Sequence, residues 1–302
     1  MRLKGLDLNL LIVLDAVLNG RSISAAARRI HLSQPATSNA LARLRQYFGD
    51  ELLVRAGRGM ILTARAEALR EPVREILMQV ESTVATPPAF DAATAERQFT
   101  VVASDFTASV LMQPLIRRAA RAAPRVRFRL LTQNGPSPQA LLTEGQADVL
   151  ILPQQYLVAE HPSSTLFEER YVCVTWNGSR WHGRRITLRQ YKEAGHVTAQ
   201  FGDGRLPAFD SWLMDSRGLQ RREEVVAHSL AVQAELVVGT DRIATMHERL
   251  ARRAARYLPI DISPPPIRIP LLTECAQWNR ARSQDPGLRW LLKQTEEIAR
   301  SV

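Results

Sequence analysis

Small polar residues open the helical segment 32–45, and arginines follow them. Ser33 stands at the expected N-cap, where its hydroxyl accepts a hydrogen bond from a free amide of the first turn. Pro35 falls in that turn, where its missing N–H costs nothing. Gln34 has the side chain that binds an adenine edge with two hydrogen bonds, and serine or threonine reaches a base or a phosphate. This pattern favours recognition of duplex DNA by the head of a helix.

Arginines near this segment extend the DNA-binding hypothesis to the hairpin that follows it, whose side chains would enter a minor groove or contact the backbone. The alternative is an ordinary solvated surface, because polar helix faces and Ser-x-Pro helix starts also occur in proteins that do not bind DNA. The predicted DNA contacts are Ser33, Gln34, Pro35, Thr37, Ser38, Asn39, Arg43, Arg45, Arg55 and Arg58.

Helices and a short β-hairpin are predicted to position these side chains. Apolar residues recur at helical spacing in the first helix, which Gly20 ends, and Ser22 or Ser24 caps the second. The helices are predicted over residues 7–20, 22–30 and 32–45, and the strands over 52–55 and 60–63.

One stripe of the third helix is expected to face the core. Its members share one side at about 100° per residue: Ala40, Leu41, Leu44 and Phe48. Thr37 lies near this stripe, so its methyl group is expected to pack there while its hydroxyl bonds back to the helix.

A long helical pattern follows the hairpin, with apolar residues spaced by four, three and four as in a coiled coil. Its seam consists of Leu69, Val73, Ile76 and Val80, and Pro72 is expected to kink or restart the helix. A Pro-rich linker comes next.

From residue 97 onward, strands alternate with helices, which predicts βαβ units on a largely parallel sheet. The pattern contains too many strands for one small sheet, so two α/β lobes are expected. The predicted division is 1–64 for the helical domain with its hairpin, 65–96 for the linker, and 97–302 for the α/β domain. Lobe 1 would take about 97–170 and 270–302, and lobe 2 about 171–269.

The composition favours a soluble cytoplasmic protein with a polyanionic partner. The net charge is +10, and no apolar stretch approaches the roughly 18 residues of a membrane span. Asp7 and Asp15 interrupt the apolar start, which argues against a signal peptide. Cys173 and Cys275 have no metal or disulfide spacing and are expected to be free thiols.

No enzyme motif is recognisable, and neither a cofactor nor a metal is expected. The loop "GDGRLP" has two glycines of a dinucleotide-binding pattern, but Pro207 replaces the third. Three glutamate pairs are expected to be solvated: 168–169, 223–224 and 296–297. A DNA-acting enzyme such as a recombinase is the main rival class, although its metal-binding carboxylates are not evident. A DNA-bending protein would not need an α/β region of this size.

The stretch "AAARRIHLSQPATSNALARLRQYFGDELLVRAGRGMILTARAEAL", residues 25–69, resembles the winged helix-turn-helix of the LysR-type transcriptional regulators. Thr37 departs from the family, which usually has a larger apolar residue there. The resemblance is closest to the branch of nodulation regulators that respond to flavonoids and catabolic regulators that respond to salicylate. It implies an α/β fold class: a winged helix-turn-helix, a linker helix and a two-lobed domain similar to type II periplasmic binding proteins.

The resemblance also implies partners. The family forms homodimers and homotetramers through paired linker helices, a role that fits the seam at Leu69, Val73, Ile76 and Val80. Packing of the seam against its own domain is the alternative. Promoter DNA with an interrupted palindrome, RNA polymerase and a small-molecule effector between the lobes are the further partners implied. Regulation without an effector stays open.

Effector contacts are expected where strands end, because α/β lobes bind ligands at the carboxyl ends of strands and at helix N-termini. The candidates are Ser104, Asp105, Phe106, Thr107, Thr132, Asn134, Arg170, Phe201, Pro207 and Phe209. Each could instead be an ordinary cap or loop residue. Phe201 and Phe209 beside Pro207 would suit a planar aromatic effector, and Arg170 would suit a carboxylate or phenolate.

Overall fold

A computed structural model describes residues 2–3, 6–57, 59–85, 89–132, 137–201, 206–207, 213–214 and 218–302. The chain forms two compact units, Met1–Pro88 with Ala281–Asp285, and Ala89–Arg280 with Pro286–Val302. In the described part of the chain, no helix is both long and apolar enough to cross a bilayer.

The N-terminal unit has the predicted helices and hairpin. Its helices are α1 (Leu10–Gly20), α2 (Ile23–Arg29), α3 (Gln34–Phe48) and α4 (Ala64–Val80), which continues into a π turn (Glu81–Ala85). Its strands are β1 (Arg2–Leu3), β2 (Leu6–Asp7), β3 (Leu53–Ala56) and β4 (Gly59–Leu62). The first helix begins later than expected, because Leu6 and Asp7 form a short antiparallel strand pair with Leu3 and Arg2.

Side-chain caps fix where these helices begin. The hydroxyl of Ser22 accepts from the Ala25 amide at 3.4 Å, that of Ser33 from Ala36 at 3.3 Å, and that of Thr63 from Ala66 at 3.1 Å. Gly49, with a φ of 63°, ends α3 in the left-handed conformation. The helices pack around a core that includes Leu14, Leu18, Leu41, Leu44 and Leu53, as the stripe on α3 predicted.

The linker helix corrects two expectations. Of the two effects expected of Pro72, a kink or a restart, the restart does not occur: one helix spans Ala64–Val80. Val73 is only 4% exposed and belongs to the core of the N-terminal unit, and Leu69 packs against that core. Val73, predicted for the dimer seam, therefore packs on its own unit, which was the alternative. Leu69 is only partly buried, so its predicted place in the seam stays a prediction. Ile76 and Val80 are 47% and 52% exposed.

The C-terminal unit contains two mixed sheets. Its strands are β5 (Gln98–Val102), β6 (Arg127–Leu131), β7 (Val149–Pro153), β8 (Ser163–Glu169), β9 (Tyr171–Trp176), β10 (Gly195–Phe201), β11 (Leu206–Pro207), β12 (Arg222–Ala227), β13 (Ile243–His247), β14 (Ile260–Ser263) and β15 (Leu272–Gln277). Its helices are α5 (Asp105–Thr107), a π turn (Ala108–Met112), α6 (Gln113–Ala122), α7 (Pro138–Thr143), α8 (Leu188–Glu193), α9 (Glu248–Ala254) and α10 (Pro286–Ala299). Short 3₁₀ turns are Gln154–Tyr156, Ala231–Ala234 and Arg280–Arg282.

Each sheet defines one lobe. Lobe 1 has the strand order β6-β5-β7-β15-β8, and lobe 2 has β11-β10-β13-β9-β14 with β12 also on β10. The prediction of a largely parallel sheet was wrong in part. The strands β5, β6 and β7 are parallel, as are β10, β12 and β13, but β8 and β9 pair antiparallel with their neighbours, and so do β14 and β15. Chain segments that pass between the lobes enter these sheets without a helical crossover, and so they can run antiparallel.

Candidate nucleic-acid interface and ligand site

The head of α3 presents a polar surface. Ser33, Gln34, Pro35, Ser38 and Asn39 are all exposed. The Ser33 hydroxyl caps the helix, which fixes the direction of the first turn and of the side chains on it. The arrangement offers amide and hydroxyl groups at a helix N-terminus, where backbone amides add positive potential.

Thr37 is a correction among the predicted DNA contacts. Its side chain is fully buried, and its hydroxyl donates to the Ser33 carbonyl oxygen at 3.1 Å. The expectation that the methyl packs and the hydroxyl bonds back to the helix is confirmed. Since the side chain has no exposed surface, Thr37 supports the helix start from inside and does not face a nucleic acid.

The arginines of α3 have different roles. Arg45 donates from Nε to the Glu51 carbonyl at 2.7 Å and from Nη2 to the Leu53 carbonyl at 3.1 Å. These bonds hold the start of the hairpin, so Arg45 positions the wing, and its predicted DNA contact stays a prediction. Arg43 is half exposed and forms an ion pair with Asp7 at 3.4 Å. A surface pair of this kind is weak, so the guanidinium of Arg43 remains able to bind a phosphate.

The hairpin, or wing, is fixed at its base by Asp50. Its carboxylate accepts from the Leu52 amide and from the Thr63 hydroxyl, both at 2.6 Å. The hydrogen bond from Thr63 holds the pKa of Asp50 below its usual value, and the hydrogen bond from Leu52 has the second largest effect. Thr63 in turn caps α4, so one carboxylate joins the wing to the linker helix. Sequence reasoning missed this role, although an aspartate directly after a helix-ending glycine is a usable signal.

Of the wing arginines, Arg55 is exposed on β3 opposite Met60. Arg58 lies outside the described residues, so its predicted role stays a prediction.

A second carboxylate that sequence reasoning missed ties three helices together. Asp15 on α1 is 5% exposed and forms ion pairs with Arg74 of α4 at 3.0 Å and with Arg29 at the end of α2 at 3.7 Å. Its Oδ1 also accepts from the side-chain Nδ2 of Asn19 at 2.9 Å. Arg29 therefore faces Asp15, and an aspartate inside an apolar helical stretch was the signal for such a buried ion pair.

In the C-terminal unit, the predicted ligand segment follows β5. The Ser104 hydroxyl accepts from the Thr107 amide at 3.2 Å and caps the short helix. Asp105 is partly buried, and Phe106 and Thr107 are fully buried. The Phe106 ring stacks on the His247 ring of lobe 2, with centroids 4.0 Å apart. Phe106 and Thr107 thus have no surface for a ligand, which corrects their prediction as effector contacts: they are interior packing residues.

The remaining effector candidates are dispersed or not described. Thr132 and Arg170 are exposed, and the Arg170 carbonyl accepts from the Glu248 amide at 2.8 Å. Among the described residues, no hydrogen bond joins Arg170 to the segment after β5. Phe201 and Pro207 contribute backbone to the paired strands β10 and β11. Asn134 and Phe209 lie outside the described residues.

Buried ionisable groups lie near the connection between the lobes, and sequence reasoning missed them. Glu169, expected to be solvated, is fully buried on β8, where it accepts from the Arg249 amide at 3.2 Å and pairs with the Arg249 guanidinium. Burial raises the pKa of Glu169, and Arg249 opposes the rise. Burial raises the pKa of Glu274 on β15 to about 8, and the charge of Glu169 adds to the rise.

His247 shows the corresponding effect of burial on a basic group. Burial lowers its pKa to about 3, so the ring that stacks on Phe106 is neutral. Its Nε2 lies 3.2 Å from the Tyr171 hydroxyl. Cys173 and Cys275 are free and buried, and within the described residues no cluster of histidine, cysteine and carboxylate side chains could hold a metal.

The N-terminal unit has a capped polar helix and a wing, and the other unit is a two-lobed α/β domain. This combination is typical of a DNA-binding regulator with a ligand-binding domain. The model of the bacterial regulatory helix-turn-helix protein, lysR family, matches residues 8–67, and that of the LysR substrate binding domain matches residues 92–300. The chain belongs to the LysR family of transcriptional regulators.

Known proteins resemble the chain over most of its length. Nodulation protein D of Bradyrhizobium sp. (strain ANU 289) is 44% identical over 291 residues, which cover 96% of this chain and 86% of that protein. The crystal structure of a probable transcriptional regulator from Pseudomonas aeruginosa is 29% identical, with a TM-score of 0.64 and 97% of each chain covered. A full-length OxyR variant from Pseudomonas aeruginosa shares the fold at 18% identity, with a TM-score of 0.71 and coverage of 98% of this chain and 95% of that one.

Proposed function

We propose that the protein binds promoter DNA with the head of α3 in the major groove. Gln34, Ser38 and Asn39 face the bases, while Arg43 and Arg55 contact phosphates. The observation that carries this proposal is the exposed polar first turn of α3, which Ser33 and the buried Thr37 hold in a fixed direction. Pro35 sets the backbone of that turn, and Arg58 is proposed as a further phosphate contact.

Self-association is the second part of the proposal. Ile76 and Val80 are exposed apolar residues on α4, and Val84 in the π turn that follows is 79% exposed. We propose that these residues pair with those of a second copy in a homodimer or homotetramer, which places two α3 helices on two half-sites. The organisation proposed is a DNA-binding domain over 1–64, a linker over 65–96 and a regulatory domain over 97–302, with a lobe division near 170 and 270.

Regulation forms the third part. A small aromatic or phenolic effector between the lobes, near Ser104, Asp105 and Arg170, would bind one arrangement of the lobes more tightly than the other. The resulting shift towards one arrangement of the lobes would alter the DNA-bound complex and its contact with RNA polymerase. This role is that of a cytoplasmic, non-enzymatic regulator, and the similarity to nodulation protein D supports it.

A footprinting experiment on the DNA upstream of the protein's own coding sequence tests the function. The purified full-length protein is expected to protect an interrupted palindrome, with half-sites separated by a multiple of about 10 base pairs. The matched control is Gln34→Ala together with Ser38→Ala, which should lose the footprint while keeping the wild-type circular dichroism spectrum. Absence of protection by the wild-type protein, with and without phenolic compounds, would contradict the proposal.

A further inference from the structure

The segment that follows β5 in lobe 1 contacts lobe 2 at three points. Asp105 accepts through Oδ2 from the Ser229 hydroxyl at 2.6 Å and from the Ala231 amide at 3.0 Å. The Phe106 ring lies on the His247 ring with an interplanar angle of 18°. Arg253 of α9 donates to the carbonyl of Ser109 at 3.0 Å, within the π turn. This short segment therefore provides one group of side-chain contacts between the lobes, and the contacts of Arg249 with Glu169 provide another.

The Asp105 contact is held from both sides. Its other carboxylate oxygen, Oδ1, accepts from the Phe106 amide at 2.9 Å, which orients the carboxylate within lobe 1. The Ser229 hydroxyl is also bonded by the Val232 amide at 3.4 Å, which fixes it within lobe 2. No arginine or lysine forms an ion pair with Asp105 in the part of the chain that the structure describes. Oδ2 of the carboxylate therefore takes its hydrogen bonds from lobe 2, and hydrogen bonds to a carboxylate are among the strong ones.

Phe106 and His247 supply an apolar contact beside these bonds. Both side chains are almost completely buried, so separating the lobes here would expose two rings to water. Burial keeps His247 neutral, and the stacking involves no charge that solvent ions could screen. The hydrogen bonds and the ring contact would be lost together if lobe 2 moved away from residues 105–109.

We propose that Asp105, with Ser229 and Ala231, is an interlobe latch that holds the two lobes together when no ligand is bound. The latch limits the separation of the lobes beside residues 105–109, and a ligand that enters at that place must break or replace the Asp105 bonds. The proposal rests on the proposed function only in taking the space between the lobes as the effector site. The latch itself is a property of the free protein.

Distance measurements between spin labels on the full chain test the latch. Both native cysteines are buried, so labels attach to cysteines introduced at the exposed positions Arg117 in lobe 1 and Lys192 in lobe 2. Labelled protein is diluted with excess unlabelled protein so that only distances within one chain are seen. Wild type is expected to give one narrow distance distribution, and Asp105→Ala and Ser229→Ala are expected to give broader distributions that extend to longer distances.

Amide hydrogen exchange provides the second readout. Peptides containing Ala231 should exchange several-fold faster in both variants, because the bond to Asp105 protects that amide in wild type. Glu235→Gln is the control: it removes a carboxylate from an exposed position of lobe 2 and should leave distances and exchange unchanged. If Asp105→Ala does not fold, Ser229→Ala alone decides.

Distance distributions of both variants that superimpose on wild type would overturn the latch. That outcome would not contradict the proposed DNA binding, which the footprint tests separately. Conversely, if the wild-type protein gave no footprint but the two variants showed the expected broader distance distributions, only the proposed function would be contradicted.

Discussion

Glu274 shows how the surroundings of one side chain control its protonation. It lies on β15 inside lobe 1, where burial raises its pKa to about 8, with the charge of Glu169 adding to the rise. In the unfolded chain the carboxyl group ionises near its ordinary pKa of 4.5. Between these two pKa values the folded protein keeps a proton that the unfolded chain releases. The free energy of unfolding therefore falls as the pH rises through this window, by at most about 1.4 kcal/mol per pH unit.

We predict that Glu274→Gln removes this pH dependence, because glutamine is neutral at every pH. The thermal unfolding midpoint of the variant should rise relative to that of wild type as the pH increases from about 5 to about 8. Glu168→Gln is the matched control, since Glu168 is exposed on the neighbouring strand β8 and should keep the wild-type pH profile. Parallel profiles for wild type and Glu274→Gln would show that Glu274 is ionised in the folded protein.

Single-residue roles could be predicted from the sequence where a local rule governs them. Ser33 caps α3 and Thr37 bonds back to the helix, as the spacing indicated. Burial that depends on distant parts of the chain could not be predicted. Glu169 looked like half of a solvated pair, but the arrival of Arg249 from α9 makes its burial possible. Phe106 looked like a ligand contact, but His247 covers its ring.

At the scale of helices, Asp15 joins α1 to both α2 and α4 through ion pairs. We predict that Asp15→Asn lowers the free energy of unfolding by about 2–3 kcal/mol, because Arg74 and Arg29 lose a largely buried charge partner. Chemical denaturation monitored by circular dichroism measures the change. Glu67→Gln breaks the exposed ion pair with Arg70 and should cost less than about 0.5 kcal/mol. Equal effects of the two substitutions would refute the role given to Asp15.

The linker helix yields a prediction about self-association. Ile76→Ala with Val80→Ala should weaken association of the full-length protein at least about tenfold, because truncating buried interface side chains typically costs more than about 1 kcal/mol each at the important positions. Sedimentation velocity over a concentration series measures this. Glu71→Ala, an exposed position on the same helix, should have no effect. Unchanged sedimentation of the double variant would place the subunit contact elsewhere.

For the molecule as a whole, the change from helical periodicity to alternating strands and helices was sufficient to predict a helical unit with a wing and two α/β lobes. The mixed character of the sheets was not predictable in this way. Strands β8, β9 and β14 nevertheless pair antiparallel with their neighbours. Such pairing is decided by how the chain passes between the lobes, which local sequence patterns do not record.

For the same reason, only part of the candidate site could be predicted from the sequence. The polar head of α3 depends on contiguous residues and is exposed as expected. The contact of Asp105 with Ser229 joins residues separated by 124 positions, so no spacing rule indicated it. A ligand site between lobes is assembled from such distant pairs.

The first turn of α3 is proposed to read DNA bases. This role is tested by measuring the affinity of wild type and Gln34→Ala for an operator and for variants of it with single base-pair changes. We predict that Gln34→Ala loses about 1–3 kcal/mol of discrimination at one base pair and little at the others. Gln46→Ala, exposed farther along the same helix, should retain wild-type discrimination. Arg55→Ala should weaken binding to every sequence alike and reduce the salt dependence. Identical affinities of wild type and Gln34→Ala for the whole set would contradict the assignment of α3 to the major groove.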